Sequence, residues 1–336
     1  MTASPPLRNE SEVDGQKPSV SLAADSSPER GAYKEYTGDI DMTKSAMITV
    51  CGRPNVGKST LTNALVGEKI AIVSDKPQTT RNRITAIVNR GETQFVLMDT
   101  PGFHKPRTRL GDYMVNVVKE SVADVDCVLL LVEPVAAIGP QEEALIQRIE
   151  QTGAPAILVI NKIDTVDKVR LLEVMALYNA RHEFDAILPI SAKTGEGLEE
   201  LTAELEKYAE EGPHFFPDDM ITDQPERQIC AELVREKLLK CLDKEIPHGT
   251  AVEVTRFTER DNGIIDLEVT IYCEKESHKG IIIGKKGAML KKIGELARED
   301  IEEFMGTKVY LQTWVKVKEN WRDSMAQLRN FGFTQE

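Results

Sequence analysis

The chain has 336 residues, 41% of them hydrophobic and 29% charged, with a formal net charge of −13. That length suggests two domains plus extras. The acidic balance excludes a protein basic overall, so any nucleic-acid surface must be local, and no apolar run reaches the length of a membrane span. The five cysteines and five histidines show neither a CxxC pair nor metal-ligand spacing, which predicts buried thiols in a reducing compartment.

Residues 1–44 hold eight acidic and five basic residues with several Ser and Pro. They read as a disordered extension without the apolar core of a secretory signal. From 45 to 210, apolar strands alternate with amphipathic segments. This pattern predicts an α/β, doubly wound, mostly parallel sheet. The first strand runs into Gly52-Arg-Pro-Asn-Val-Gly57-Lys58-Ser59 and then a helix-prone run from Thr60. That is the phosphate-binding G-x-x-x-x-G-K-[ST] pattern in its strand–loop–helix context. Backbone N–H groups of such a loop (Gly52, Asn55, Val56, Gly57, Thr60) turn toward phosphate oxygens, and the helix N-terminus faces the same anion. Lys58 can reach the β and γ phosphates, and Ser59 can hold Mg²⁺.

Three further motifs follow strands in order: Asp99-Thr-Pro-Gly102, Asn161-Lys-Ile-Asp164 and Ser191-Ala-Lys193. All lie past strand C-termini, where open α/β sheets bind ligands. A carboxylate at Asp164 matches the paired N1–H and 2-amino donors of guanine, which adenine lacks. Asn161 can tie the loops together, Lys162 can lie along the base, and N–H groups around Ala192 can serve guanine O6. The expected ligand is therefore GTP or GDP with Mg²⁺.

Residues 211–225 are rich in Pro and Gly and read as a linker. Beyond them, 226–325 has the order helix (Glu226 to Glu245), strand, strand, helix pair, strand, and 326–336 reads as a tail. The helix pair is joined by Gly284-Lys285-Lys286-Gly287. This order resembles a KH domain of the second topological type, whose Gly-x-x-Gly loop clamps about four nucleotides. Residues 275–318 carry ten Lys/Arg against six Asp/Glu, which attracts phosphates on an otherwise acidic chain. Tyr310 and Trp314 fall on the polar parity of the last strand; packing against a helix is preferred over base stacking for them.

A G domain followed by a type II KH domain, with Pro77-Gln-Thr-Thr-Arg81, Asp99-Thr-Pro-Gly-Phe-His104, Phe216-Pro-Asp-Asp-Met-Ile-Thr-Asp223 and Trp314-Val-Lys-Val-Lys318, resembles the Era family of GTPases over residues 45–325. The resemblance implies a monomeric, slow GTPase. It implies binding near the 3′ end of 16S rRNA on the small ribosomal subunit, in the cytoplasm, with peripheral membrane association in some members. It implies water-mediated Mg²⁺ contact at Asp99, a γ-phosphate contact from the Gly102 N–H, and a switch threonine at Thr80, with Thr79 as the alternative. Asn55 matches a P-loop asparagine that holds K⁺ in related GTPases; the alternative is a residue that shapes the turn. Phe103 stands where Ras-type GTPases place a water-orienting glutamine. His104 is read as positioning the switch backbone, the alternative being a catalytic base. Two rival functions are an RNA-modification factor, for which no second catalytic constellation is found, and a membrane-associated signalling GTPase, for which no basic amphipathic helix is found.

Overall fold

The computed structural model describes residues 43–122 and 125–333. The N-terminal extension lies outside these, except for its last two residues, Thr43 and Lys44, the second of which already opens the first strand.

The first layer is a seven-stranded sheet. Its main strands are β1 (Lys44–Cys51), β2 (Ile84–Arg90), β3 (Thr93–Asp99), β4 (Cys127–Val132), β5 (Ala156–Ile160) and β6 (Ala186–Pro189). They lie in the order β2-β3-β1-β4-β5-β6, all parallel except β2, which pairs antiparallel with β3. The short β7 (Glu210–Glu211) returns antiparallel to the start of β1. Central strands β4 and β5 are apolar along their whole length because both faces are covered. One face packs Ile48, Leu129 and Val159 against Leu61 and Leu201; the other packs Leu130 and Leu158 against Val118, Ile146 and Tyr178. The covering helices are α1 (Lys58–Val66), α2 (Arg109–Ser121), α3 (Pro140–Thr152), α4 (Lys168–Arg181) and α5 (Leu198–Leu205). Side-chain caps begin two of them: Thr108 accepts the Gly111 N–H at 3.2 Å and Asp167 the Arg170 N–H at 2.8 Å, each satisfying an otherwise orphan donor.

The connection at 211–225 is more than a tether. Gln94 exchanges two hydrogen bonds of 2.9 Å with the Phe216 backbone, and the Ile87 N–H donates to Ile221 O at 2.9 Å. The segment therefore runs along β2.

The second layer comprises α6 (Glu226–Cys241), β8 (Ala251–Glu259), β9 (Ile265–Cys273), α7 (Glu276–Ile283), α8 (Ala288–Met305) and β10 (Val309–Val317). This is the element order expected from the sequence. β9 pairs antiparallel with β8 and parallel with β10. Leu267, Val269 and Ile271 meet Leu233 and Leu238 of α6 and Ile293, Ala297 and Ile301 of α8.

Three expectations are corrected. Helix α6 stops at Cys241 rather than Glu245; the Lys76 ammonium donates to the carbonyls of Leu239 and Leu242, taking up acceptors that a further turn would need. Residues 326–333 of the expected C-terminal tail are folded against the rest of the chain. Met325–Asn330 forms α9, and Leu328 and Phe333 are buried with Trp321, Leu110, Met114 and Ala251. Tyr310 and Trp314 do not pack against a helix: they are 53% and 57% exposed, and the Arg260 guanidinium lies over the Tyr310 ring. The helices cover one face of the small sheet, and these two side chains belong to the other. The buried tryptophan is Trp321, whose Nε1–H donates to Gly249 O at 2.9 Å.

Candidate functional site

The C-terminal ends of β1, β3, β5 and β6 bring the four motifs to one edge of the sheet. There, a cavity of about 460 Å³ is lined by Asn55, Gly57, Lys58, Ser59, Thr60, Thr80, Gly102 and Lys162, with Ile72–Asp75, Gln78 and Thr79 across from them.

The loop conformation follows from its residue types. Gly57 has φ +102°, and a Cβ there would collide with the Asn161 amide nitrogen, so no side chain fits. Asn55 holds a left-handed φ of 66°, which asparagine tolerates. Gly52 ends the strand and accepts the Phe103 N–H at 3.1 Å, which ties the second switch loop to the phosphate loop. Lys58 begins α1 with its ammonium donating to Gly52 O at 3.3 Å and Arg53 O at 3.1 Å. Burial lowers its pKa, against the pull of the Asp99 carboxylate.

Below the loop sits a cluster of oxygens. Ser59 Oγ donates to Asp99 Oδ2 at 2.7 Å and lies 2.9 Å from Thr80 Oγ1. Asp99 is fully buried, and its Oδ1 has no hydrogen-bond partner. Burial raises the Asp99 carboxyl to about 6, although Lys58 and the Ser59 hydroxyl oppose the rise. A hydroxyl pair and a carboxylate with an orphaned oxygen form the hard, all-oxygen donor set that Mg²⁺ takes. The chain brings Thr80, rather than Thr79, to this cluster; Thr79 Oγ1 instead donates to Lys76 O at 2.6 Å.

The base-side loops are braced on one another. Asn161 Nδ2 donates to Val56 O at 2.8 Å, and Lys162 Nζ donates to Asn55 O at 2.6 Å. Asp164 stands at the rim, with Oδ1 accepting the Ser191 hydroxyl at 2.7 Å. One expectation changes: the Ala192 N–H donates to Asn161 Oδ1 at 2.9 Å, so a base oxygen would share or replace that acceptor. Lys193 is exposed beside it. Sequence reasoning missed Glu133, which pairs with both Lys162 and Arg53 and carries no motif signal. His104 is engaged by Gly102 O at 2.9 Å and the Gln78 amide at 3.3 Å, a placement that braces the two switch loops.

In the second layer, Gly284-Lys-Lys-Gly287 makes one tight turn between α7 and α8. Gly284 has φ +72°, and a Cβ there would meet the Met289 backbone nitrogen at 2.9 Å, whereas at Gly287 it would meet nothing within 4 Å. Lys285 and Lys286 are exposed and Ile281 is 49% exposed. The turn thus offers cations and an uncovered backbone at a helix N-terminus, an arrangement suited to phosphates.

Residues 47–162 match a family described as 50S ribosome-binding GTPase, and residues 245–322 match the KH domain family. The GTPase Era of Ruminiclostridium cellulolyticum is 52% identical over 86% of this chain and 97% of its own length; that of Clostridioides difficile is 51% identical over 87% and 99%. A crystal structure of Era in complex with MgGDPNP and nucleotides 1506–1542 of 16S ribosomal RNA has a TM-score of 0.84 and 38% identity, covering 87% of this chain and all of that one. An Aquifex aeolicus Era variant bound to GDP·AlF₄⁻ has the same TM-score, identity and coverage. Two stacked architectures, a phosphate loop with its companion motifs, and near full-length relatives converge: the chain belongs to the Era family of GTPases.

Proposed function

We propose that this GTPase is a nucleotide-gated RNA-binding switch of small ribosomal subunit assembly. It holds the 3′ end of 16S rRNA through Gly284–Gly287, and residues 45–210 and 226–325 act as the nucleotide and RNA domains. The observation that carries the reading is the Ser59–Thr80–Asp99 oxygen cluster under a complete phosphate loop, in a chain similar to one crystallised with both MgGDPNP and 16S rRNA nucleotides.

Ser59, Thr80 and Asp99 would hold Mg²⁺, which supplies charge to neutralise phosphate oxygens. Lys58 and the loop N–H groups balance the remaining charge, and the Gly102 N–H reports the γ-phosphate. Asp164 selects guanine. Phe103 packs in the apolar cluster of the neighbouring helices, so no side-chain amide orients water from that position and the intrinsic rate is slow. Asn55 Nδ2 donates to Asp75 O at 2.5 Å, a bond that suits the loop-shaping role; a K⁺ role would need its amide oxygen instead, and equal hydrolysis rates in K⁺ and Na⁺ buffers would dismiss it. Among the described residues no helix is long and apolar enough to cross a membrane. A cytoplasmic monomer with peripheral membrane association fits the reading.

The test is titration of an oligonucleotide of the 16S 3′ end with the protein loaded with GDP or a non-hydrolysable GTP analogue, beside Gly287→Asp. Gly287 is the better probe, because a side chain at Gly284 would strike the Met289 backbone and disturb the start of α8. Tighter binding in the analogue state, lost in the variant, is expected. Equal affinity in both states would end the gating claim.

A further inference from the structure

Thr80 is flanked on both sides by anchors from the second layer. The Arg235 guanidinium of α6 donates through Nη2 to the carbonyl of Thr79, the residue before it. Arg81, the residue after it, donates to Thr250 O at 2.7 Å and His248 O at 2.9 Å. Both arginines are buried, at 1% and 3% exposure. The same segment is held upstream: Ile72 lies in the core of the second layer, and the Val73 N–H donates to Glu236 Oε1 at 3.0 Å. The chain that carries the switch threonine is therefore moulded on α6.

We propose that Arg235 is a positioning residue for GTP hydrolysis, supplied to the nucleotide site by the RNA-binding half of the chain. It acts through Thr79: fixing that carbonyl fixes the peptide from which Thr80 presents its hydroxyl to Ser59 and Asp99. This rests on the assignment of Thr80 to the Mg²⁺ site. Arg235 is itself held by Glu232, to which both Nε, at 2.8 Å, and Nη2 donate, while its third nitrogen, Nη1, is buried without a partner. If Thr80 leaves the site and draws Thr79 away, Nη2 keeps only its bond to Glu232, and one N–H of a buried guanidinium loses its acceptor, which is unfavourable. That cost opposes the departure of Thr80 and links it to the placement of α6. Coupling of this kind is reciprocal: whatever displaces α6 also alters the nucleotide site.

The experiment uses the full chain and the variants Arg235→Met, Arg235→Lys, Thr80→Ala and the Arg235→Met/Thr80→Ala pair. GTP hydrolysis is followed across a Mg²⁺ titration, with GDP affinity and thermal melting measured alongside. Arg235→Met is expected to lower kcat by about tenfold or more, as small misplacements of reacting groups do. It should raise the Mg²⁺ needed for half-maximal hydrolysis and leave GDP affinity within about twofold. Arg235→Lys, which keeps the charge beside Glu232, should fall between, and the double variant should be no slower than Thr80→Ala. Arg235→Met with unchanged kcat and Mg²⁺ dependence, beside a slow Thr80→Ala, overturns the role of Arg235 and spares that of Thr80. A fast Thr80→Ala overturns the reading beneath it. Parallel loss of GDP affinity and hydrolysis in both Arg235 variants assigns the residue to structure alone and also overturns the proposal.

Discussion

Asp99 shows how one buried carboxyl can set the pH range of the site. Its pKa is raised from 3.8 to about 6, so the folded chain favours the protonated form. That stabilising contribution is complete below 3.8 and is lost as pH rises through 6. Mg²⁺ needs the ionised form and so competes with the proton. The Mg²⁺ required for half-maximal hydrolysis should climb by up to about tenfold per pH unit below about pH 6. Asp99→Asn reports the titration of the nucleotide alone and should lack this step. The two tryptophans give a second check: Trp314 is 57% exposed and Trp321 is fully buried. Trp321→Phe should leave a red-shifted emission open to iodide, while Trp314→Phe should leave a protected one. The nucleotide residues are legible in the sequence because their geometry is local: a loop such as 52–59 encodes its own turn and its own ligand. Trp314 misleads because residue type argues for burial, while parity on β10 places it on the face without helices. The same alternation that identifies the strand also holds that answer.

Among the elements, α6 departs furthest from its sequence pattern. Glu226 to Glu245 reads as a helix on the spacing of Ile229, Leu233, Leu238 and Leu242, a pattern that assigns no partners to its charged residues. Yet Arg235, Glu236 and Lys237 are all buried. Beside near neighbours on the helix such as Glu232 and Lys240, their partners lie far away in sequence: Lys69 Nζ lies 3.0 Å from Glu236, Lys237 pairs with Asp300, and the Val73 N–H also meets Glu236. No periodicity marks such pairs, which is why the coupling surface cannot be read from the chain while the strand and helix order can. Burial pushes the Glu236 carboxyl up, but hydrogen bonds from Lys237, the Val73 N–H, Lys240 and Lys69 prevail and hold it at about 2. The resulting stability is present above the ordinary value of 4.5 and is lost as pH falls toward 2. Glu236→Gln should cost about 3 kcal/mol at neutral pH, with the difference from the parent shrinking below pH 4.5 in denaturant titrations. The C-terminal segment makes a comparable joint. Trp321 stacks near Phe333 with centroids 6.2 Å apart and meets Phe331 edge-on at 5.3 Å, over Leu110 and Met114 of α2. Trp321→Ala should destabilise by about 3–5 kcal/mol; a melting temperature equal to the parent's would show that the segment is dispensable.

At the scale of the whole molecule, the proposed RNA contact is a small basic turn on a chain of net charge −13. If the proposal holds, binding of a 16S rRNA oligonucleotide is strongly salt-dependent. Removing both Lys285 and Lys286 should flatten the slope of log affinity against log salt by about 1.4, since each phosphate of a single strand that a lysine neutralises adds roughly 0.7. An unchanged slope would place the phosphate-binding cations elsewhere.

The segment that joins the two layers has a consequence for handling the protein in pieces. Strand β2 is the last in its sheet, and its outer side would present unpaired backbone groups, the surface through which sheets of different molecules join. Here that side is occupied: the Ile87 N–H is taken by Ile221 O, the Thr85 carbonyl by the Thr222 hydroxyl at 2.6 Å, and Ala86 bridges Thr222. The connector thus shields the sheet from self-association. A nucleotide-binding fragment cut at residue 212 should oligomerise through β2, while one extended to residue 224 should run as a monomer in size-exclusion chromatography.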